Sequence, residues 1–172
     1  MTCETHCVTC IAQPLTPACF APFGHVIALE GQAQQLPHWP INDGNAMRYE
    51  LLADMQLHAA GGVPMLAIFR AQARSFPLEV TQLERHVLGS QTFVPLGTQR
   101  FVLVVAQAGT VPSAANIQAF VTDGRQGVVL APGTWHHALL AVEGGDFAVI
   151  ERKAVEVDCE TVALAPAVLL QL

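Results

Sequence analysis

Phe101-Val102-Leu103-Val104-Val105-Ala106 is apolar at every position. A strand with one wet face alternates apolar and polar residues. An unbroken run of this length instead predicts a strand covered on both faces, between two sheets. Pro95-Leu96-Gly97 precedes it and Gly109 follows, and both read as turns. Further out, Val128–Leu130, Ala138–Val142 and Phe147–Ile150 read as three more strands, set apart by Asp123-Gly124 and Gly144-Gly145. Upstream, the β signal begins at Val63, after Gly61-Gly62. Leu66, Ile68 and Arg70 share one strand face, and so do Leu78, Val80, Gln82, Glu84 and His86. Short strands separated by turn signals predict an all-β sandwich or barrel with a few short helices.

One short helix is expected at Thr16-Pro17, a capping hydroxyl followed by proline at the first helical position. Pro22-Phe23-Gly24 stops it. Residues 31–46 are rich in Gly, Pro and Asn and read as an extended loop. The tail, Thr161 to Leu172, fits either a last helix or an apolar strap.

At 172 residues, 52% hydrophobic and 13% charged, the chain reads as one globular domain rather than a disordered segment. A net charge of −6 with eight Lys plus Arg excludes the clustered positive charge that nucleic-acid binding needs. No apolar run approaches the ~18 residues of a membrane span. The N-terminus lacks the pattern of a secretory signal, and five cysteines, an odd number, suit a reducing compartment. A cytoplasmic protein that binds neither nucleic acid nor membrane is therefore expected. Residues 1–13 are expected to be a flexible extension, and 14–172 a single domain.

Two polar clusters interrupt the apolar pattern: Glu84-Arg85-His86-Val87-Leu88-Gly89-Ser90-Gln91, and Gly133-Thr134-Trp135-His136-His137. Polar groups among apolar neighbours are costly unless paired or used, so both clusters are expected to meet in one pocket. Glu84 and His86 stand at i and i+2, Gln91 follows a Gly-Ser turn, and His136 follows Pro132-Gly133. That order resembles the skeleton of a cupin metal site. Glu84, His86, Gln91 and His136 are the candidate ligands, and imidazole with carboxylate suits a borderline divalent ion. Trp135, beside His136, is a candidate pocket wall. His137 should face the other way. Trp39 is expected to be a packing residue, and Cys159 a buried apolar residue rather than a nucleophile.

These clusters resemble the ureidoglycolate lyase (ureidoglycolate hydrolase) family. Glu84-Arg85-His86-x-Leu88-Gly89-Ser90-Gln91-x-Phe93-x-Pro95 and Gly133-Thr134-Trp135-His136-His137 carry the resemblance. Phe20-Ala21-Pro22-Phe23-Gly24, Ile41-Asn42-Asp43-Gly44 with Arg48-Tyr49, Ile68-Phe69-Arg70-Ala71 and Asp158-Cys159-Glu160 extend it over roughly residues 14–160. The chain departs from the family pattern at Glu50-Leu51, where His-Asp is usual. It departs again at Val129-Leu130-Ala131-Pro132, where the family has Asn-Tyr-His-Arg.

The resemblance implies a cupin-type jelly roll, a homodimer, and cleavage of ureidoglycolate to glyoxylate and urea in allantoin breakdown. The substrate is a carbinolamide. The reaction moves a proton from its hydroxyl to the departing nitrogen, and His86, Glu84 and His136 are the candidate catalytic groups. A divalent metal such as Ni, Mn or Zn would make that hydroxyl more acidic; no organic cofactor is expected. The carboxylate calls for a guanidinium, with Arg70 and Arg48 as candidates. The alternative is a diverged cupin that binds a small carboxylate or acts on another hydroxy-acid adduct. Cys3, Cys7 and Cys10 have the spacing of an iron–sulfur motif, but a terminal extension accounts for them without a cluster.

Overall fold

The structure is a computed structural model and describes residues 8–52 and 54–172. Cys3 and Cys7 lie outside the described residues.

The chain forms β1 (Val8–Ile11), β2 (Gln13–Pro14), α1 (Pro17–Phe20), β3 (Gly24–Ile27), β4 (His38–Ile41) and β5 (Ala46–Tyr49). Then come β6 (Val63–Ala71), β7 (Leu78–Arg85), β8 (Gln91–Pro95), β9 (Phe101–Ala106) and β10 (Gln118–Val121). The last are β11 (Gly127–Leu130), β12 (Trp135–His136), β13 (Leu140–Ala141), β14 (Gly145–Lys153) and β15 (Glu160–Gln171). One eight-stranded sheet runs β1-β15-β7-β12-β9-β10-β2, with β13 also on β9. A five-stranded sheet runs β3-β11-β8-β14-β6. The architecture is all-β, a nearly closed jelly roll of the cupin type.

β9 explains the arrangement. Phe101, Leu103 and Val105 point into a core between the two sheets, where they meet Phe93, Phe147 and Val149. Val102, Val104 and Ala106 point the other way, into a second core with Val80, Leu83 and Val168. The larger sheet curls until β1 lies against β10. Each large β9 side chain contributes roughly 1.5–3 kcal/mol by burial. The strand expected between two sheets is therefore the wall between two cores.

α1 begins as expected. The Thr16 hydroxyl accepts from Cys19 N at 3.3 Å, and Thr16 N donates to Cys19 Sγ at 3.2 Å. The tail resolves as β15, paired with β7.

Four expectations are corrected. Residues 38–49 are a β4–β5 hairpin rather than loop, turning at Asn42 and Asp43 with φ of 53° and 55° and at Gly44 with φ of 87°. Asn, Asp and Gly tolerate that left-handed backbone, so the loop-like composition is the turn of a hairpin. Trp39 on this hairpin is 39% exposed and lies under the Arg48 guanidinium, so it is not a core residue. Val8–Ile11 pair in parallel with β15, so residues 8–11 are a strand of the sheet rather than a flexible extension.

The fourth correction concerns β7. Val80 and Leu83 are both buried in the second core, which strict alternation forbids. Ala163 pairs with Gln82 but Val168 with Val80, so residues 164–167 stand opposite Thr81 alone. This bulge, which contains Pro166, flips the alternation. Glu84 therefore faces away from Leu78 and Val80, toward the core between the sheets.

Candidate active site

His136 pairs with Glu84 on one side and Val105 on the other, so all three share the inward face. The Glu84 carboxylate comes within 3.8 Å of His136 Nε2. The His86 and His136 rings lie 5.3 Å apart, centre to centre. Gln91 opens β8, with its Oε1 3.1 Å from His136 Nε2. The four residues expected in one pocket thus converge.

The turns that bring them together rest on glycine. Gly133 has φ of 80°, and its N–H donates to the His86 carbonyl at 2.7 Å, tying the two polar clusters together. A Cβ on Gly89 would lie 2.6 Å from Arg152 Cβ, so only glycine lets the 86–91 loop pass so close to β14.

Both imidazoles are held from behind by main chain. His86 Nδ1 donates to the Asp158 carbonyl. His136 Nδ1 donates to the Thr134 carbonyl at 3.0 Å. A carbonyl only accepts, so each ring carries its proton on Nδ1 and turns the Nε2 lone pair inward. His86 Nε2 is buried without a partner. Burial pushes the His136 pKa down to about 4, helped by the neighbouring His86 and His137, so the ring is neutral near pH 7.

Glu84, His86 and His136 offer ligand atoms that all lie within 4.8 Å of one another. Two imidazoles with anchored Nδ1–H groups and one carboxylate are a donor set that fits a divalent cation.

His86 also lines a cavity of about 210 Å³, together with Ser90, Glu151, Arg152, Lys153 and Asp158. Two of these hold candidate site residues in place and were not singled out by motif reading. Asp158 accepts from Val87 N at 2.8 Å and Leu88 N at 2.6 Å, besides holding His86 through its carbonyl. Glu151 accepts from Gln91 Nε2 at 3.0 Å. Alternation along β14 carries a signal for Glu151, which is in step with the buried Phe147 and Val149. Asp158 lies in the Asp158-Cys159-Glu160 segment of the family resemblance, but nothing in that segment marks its contact with the 86–88 turn.

Three expected site residues are not brought to this cluster. Arg70 pairs with Asp146 through Nε and Nη2, at 2.8 and 3.0 Å. It lies on the outer face of β6, with its side chain 84% exposed. Leu66 and Ile68 share that exposed face, so alternation holds but points outward. Arg48 sits on the β4–β5 hairpin and pairs with Glu50. Trp135 faces the second core; its Nε1 donates to the Thr110 carbonyl and the Arg85 guanidinium covers its ring. One residue out of step with His136 in a strand, it must point the opposite way.

Cys159 is exposed rather than buried. Its thiol lies 3.7 Å from Glu84 Oε2. Partial burial, Glu84 and Asp158 raise its pKa, so it is a protonated donor and a poor nucleophile. Leu130 pairs with Gln91 and gives the cluster an apolar neighbour where the family pattern has a polar one.

Comparison with known proteins finds relatives that match most of the chain. A family model described as ureidoglycolate lyase matches residues 7–171. The chain is 51% identical over 141 residues to the ureidoglycolate lyase of Burkholderia mallei strain NCTC 10229, covering 81% of this chain and 80% of that one. It is 44% identical over 151 residues to that of Pseudomonas syringae pv. syringae, covering 87% and 86%. It is 42% identical over 153 residues to that of Pseudomonas fluorescens strain Pf0-1, covering 88% and 89%.

Proposed function

Because the chain belongs to the ureidoglycolate lyase family, we infer that it cleaves ureidoglycolate into glyoxylate and urea. The observation that carries this reading is the convergence of Glu84, His86 and His136 beside a cavity of about 210 Å³, large enough for a small hydroxy acid.

The chemistry follows from the substrate. The hydroxyl loses its proton and its oxygen forms the new carbonyl. The C–N bond breaks, and its electron pair stays on the urea nitrogen, which takes up a proton. His86 lines the cavity and is the base that takes the hydroxyl proton and delivers it to nitrogen. Glu84 stabilises the positive charge on His86 between the two transfers. His136 is buried and neutral, so it orients the cluster rather than moving protons.

His86 Nε2 is the base only while no cation is bound; in the cation-loaded protein Glu84, His86 and His136, with the Gln91 oxygen, would instead hold a divalent ion such as Ni²⁺, Mn²⁺ or Zn²⁺. Such an ion would polarise the substrate hydroxyl and carboxylate. Lys153 is in step with Glu151 along β14 and lines the cavity. It is the cation we assign to the substrate carboxylate, in place of Arg70 and Arg48.

We also propose a homodimer formed through β6. This nine-residue strand is the edge of its sheet and leaves Val63, Leu66 and Ile68 55%, 70% and 58% exposed. An unpaired edge beside exposed apolar side chains invites a second copy. Among the described residues no helix is long and apolar enough to cross a membrane. Cys10, Cys19 and Cys159 are free thiols, which supports placing the enzyme in the cytoplasm.

The direct test is glyoxylate release from racemic ureidoglycolate by purified protein, before and after chelation and re-addition of each cation. Absence of glyoxylate under every condition would refute the assignment.

A further inference from the structure

Gln91 is buried and its amide has two ends with opposite chemistry. Nε2 donates to Glu151 Oε2 at 3.0 Å, and Oε1 faces His136 Nε2 at 3.1 Å. An ionised carboxylate only accepts hydrogen bonds, so Glu151 dictates which end of the amide it receives. The other end, an oxygen, is then forced toward the histidines. The Thr134 carbonyl holds the His136 proton on Nδ1, so Nε2 turns a lone pair toward that oxygen. Two lone pairs at this distance repel. The Glu84 carboxylate and the unpartnered His86 Nε2 add further electron-rich atoms to the same spot. With Gln91 reversed, its NH₂ would donate to His136 Nε2 and relieve the repulsion. Something outside the pair must therefore prevent the reversal, and Glu151 is the group in contact with the far end.

We propose that Glu151 is a positioning residue that locks the Gln91 amide with its oxygen toward Glu84, His86 and His136, making Gln91 the fourth donor of a divalent-cation site. Without Glu151 the amide reverses, its NH₂ caps His136 Nε2, and the site loses two donors at once: the Gln91 oxygen and the His136 lone pair. Glu151 itself need touch neither cation nor substrate. This inference rests on the cation-holding reading of the cluster, and its test separates the two.

The test is calorimetric titration of chelator-stripped protein with Ni²⁺, in the wild type, in Glu151→Gln, and in the reciprocal double variant Gln91→Glu/Glu151→Gln. Glu151→Gln keeps size and shape but lets residue 151 donate as well as accept, so the lock is lost. Ni²⁺ affinity should fall about 10- to 100-fold, the range for loss of a group that orients a metal ligand. The double variant keeps the total charge. It places a carboxylate at 91 that offers oxygen in either orientation and accepts from the amide at 151. Affinity should return to within about threefold of wild type, well inside the loss it reverses. The melting temperature of the stripped proteins reports whether each variant is folded.

Unchanged affinity in Glu151→Gln would overturn the proposal while leaving the cation site intact. Weak binding by a folded double variant would overturn it too, since Glu151 would then act through its charge or packing. Wild-type protein that binds no Ni²⁺, Mn²⁺ or Zn²⁺ would overturn the cation reading and this inference together.

Discussion

His86 donates its Nδ1–H to the main-chain carbonyl of Asp158, while the Asp158 carboxylate accepts from Val87 and Leu88 N at 2.8 and 2.6 Å. One residue thus fixes both the tautomer of the ring and the backbone that carries it. Asp158→Ala removes the acceptor of two exposed N–H groups, at about 0.5–1.5 kcal/mol of lost stability per hydrogen bond. The glyoxylate-forming kcat should fall about tenfold or more, as for loss of a group that orients a site residue. A variant with normal kcat would show that the Asp158 carboxylate is not needed to hold the backbone that carries His86.

His86→Ala should lower the rate by about 10² to 10⁴, the usual cost of losing a general base. Replacing Cys3, Cys7 and Cys10 together by alanine should leave the rate unchanged. Steady-state kinetics on both proteins decides where the chemistry lies. A dead cysteine variant that still folds would move the active site to the N-terminus.

Burial lowers the His136 pKa from its ordinary 6.5 to about 4. Between those values the unfolded chain binds the proton more readily than the folded one. The His136 contribution to stability is therefore complete above about pH 6.5, falls as the pH drops toward 4, and is level below that. The loss is on the order of 3 kcal/mol. Urea midpoints of chelated wild type and His136→Gln, compared at about pH 7.5 and about pH 4.5, should show a larger acid-induced drop in the wild type. Equal drops would mean that His136 is not the buried neutral group described here.

Lys153→Ala should raise KM with little change in kcat, because a carboxylate contact is made equally in ground and transition states. Arg70→Ala should leave KM unchanged, since its guanidinium is committed to Asp146 on the outer face. The opposite pattern would return substrate binding to Arg70.

Leu66→Asp/Ile68→Asp places two charges on the exposed face of β6. Light scattering at micromolar concentration should find a dimer for the wild type and a monomer for the variant. A variant dimer would move the interface away from β6.

Much of the frame was legible locally. An unbroken apolar run must be covered on both faces, and Phe101–Ala106 is. A Thr-Pro start caps a helix, and the Thr16 hydroxyl does so. Glu84, His86, Gln91 and His136 stood out because polar groups inside apolar strands need partners, and they converge as expected. The tail and the β4–β5 hairpin were harder, because proline and turn residues mask strands that hydrogen bonding to a neighbour still supports.

By itself, then, the amino-acid sequence determined the strand periods, the turns and the identity of the polar cluster, since these depend on neighbours within a few residues. The tertiary structure alone decided direction. A bulge opposite Thr81 turned Glu84 toward the inner core, the register of β14 sent Arg70 outward beside Asp146, and the return of the chain at residue 158 set a carbonyl behind His86. Alternation states which residues share a face but not which face is inside. That choice is made by contacts between segments far apart in the chain, where a one-residue slip reverses every side chain.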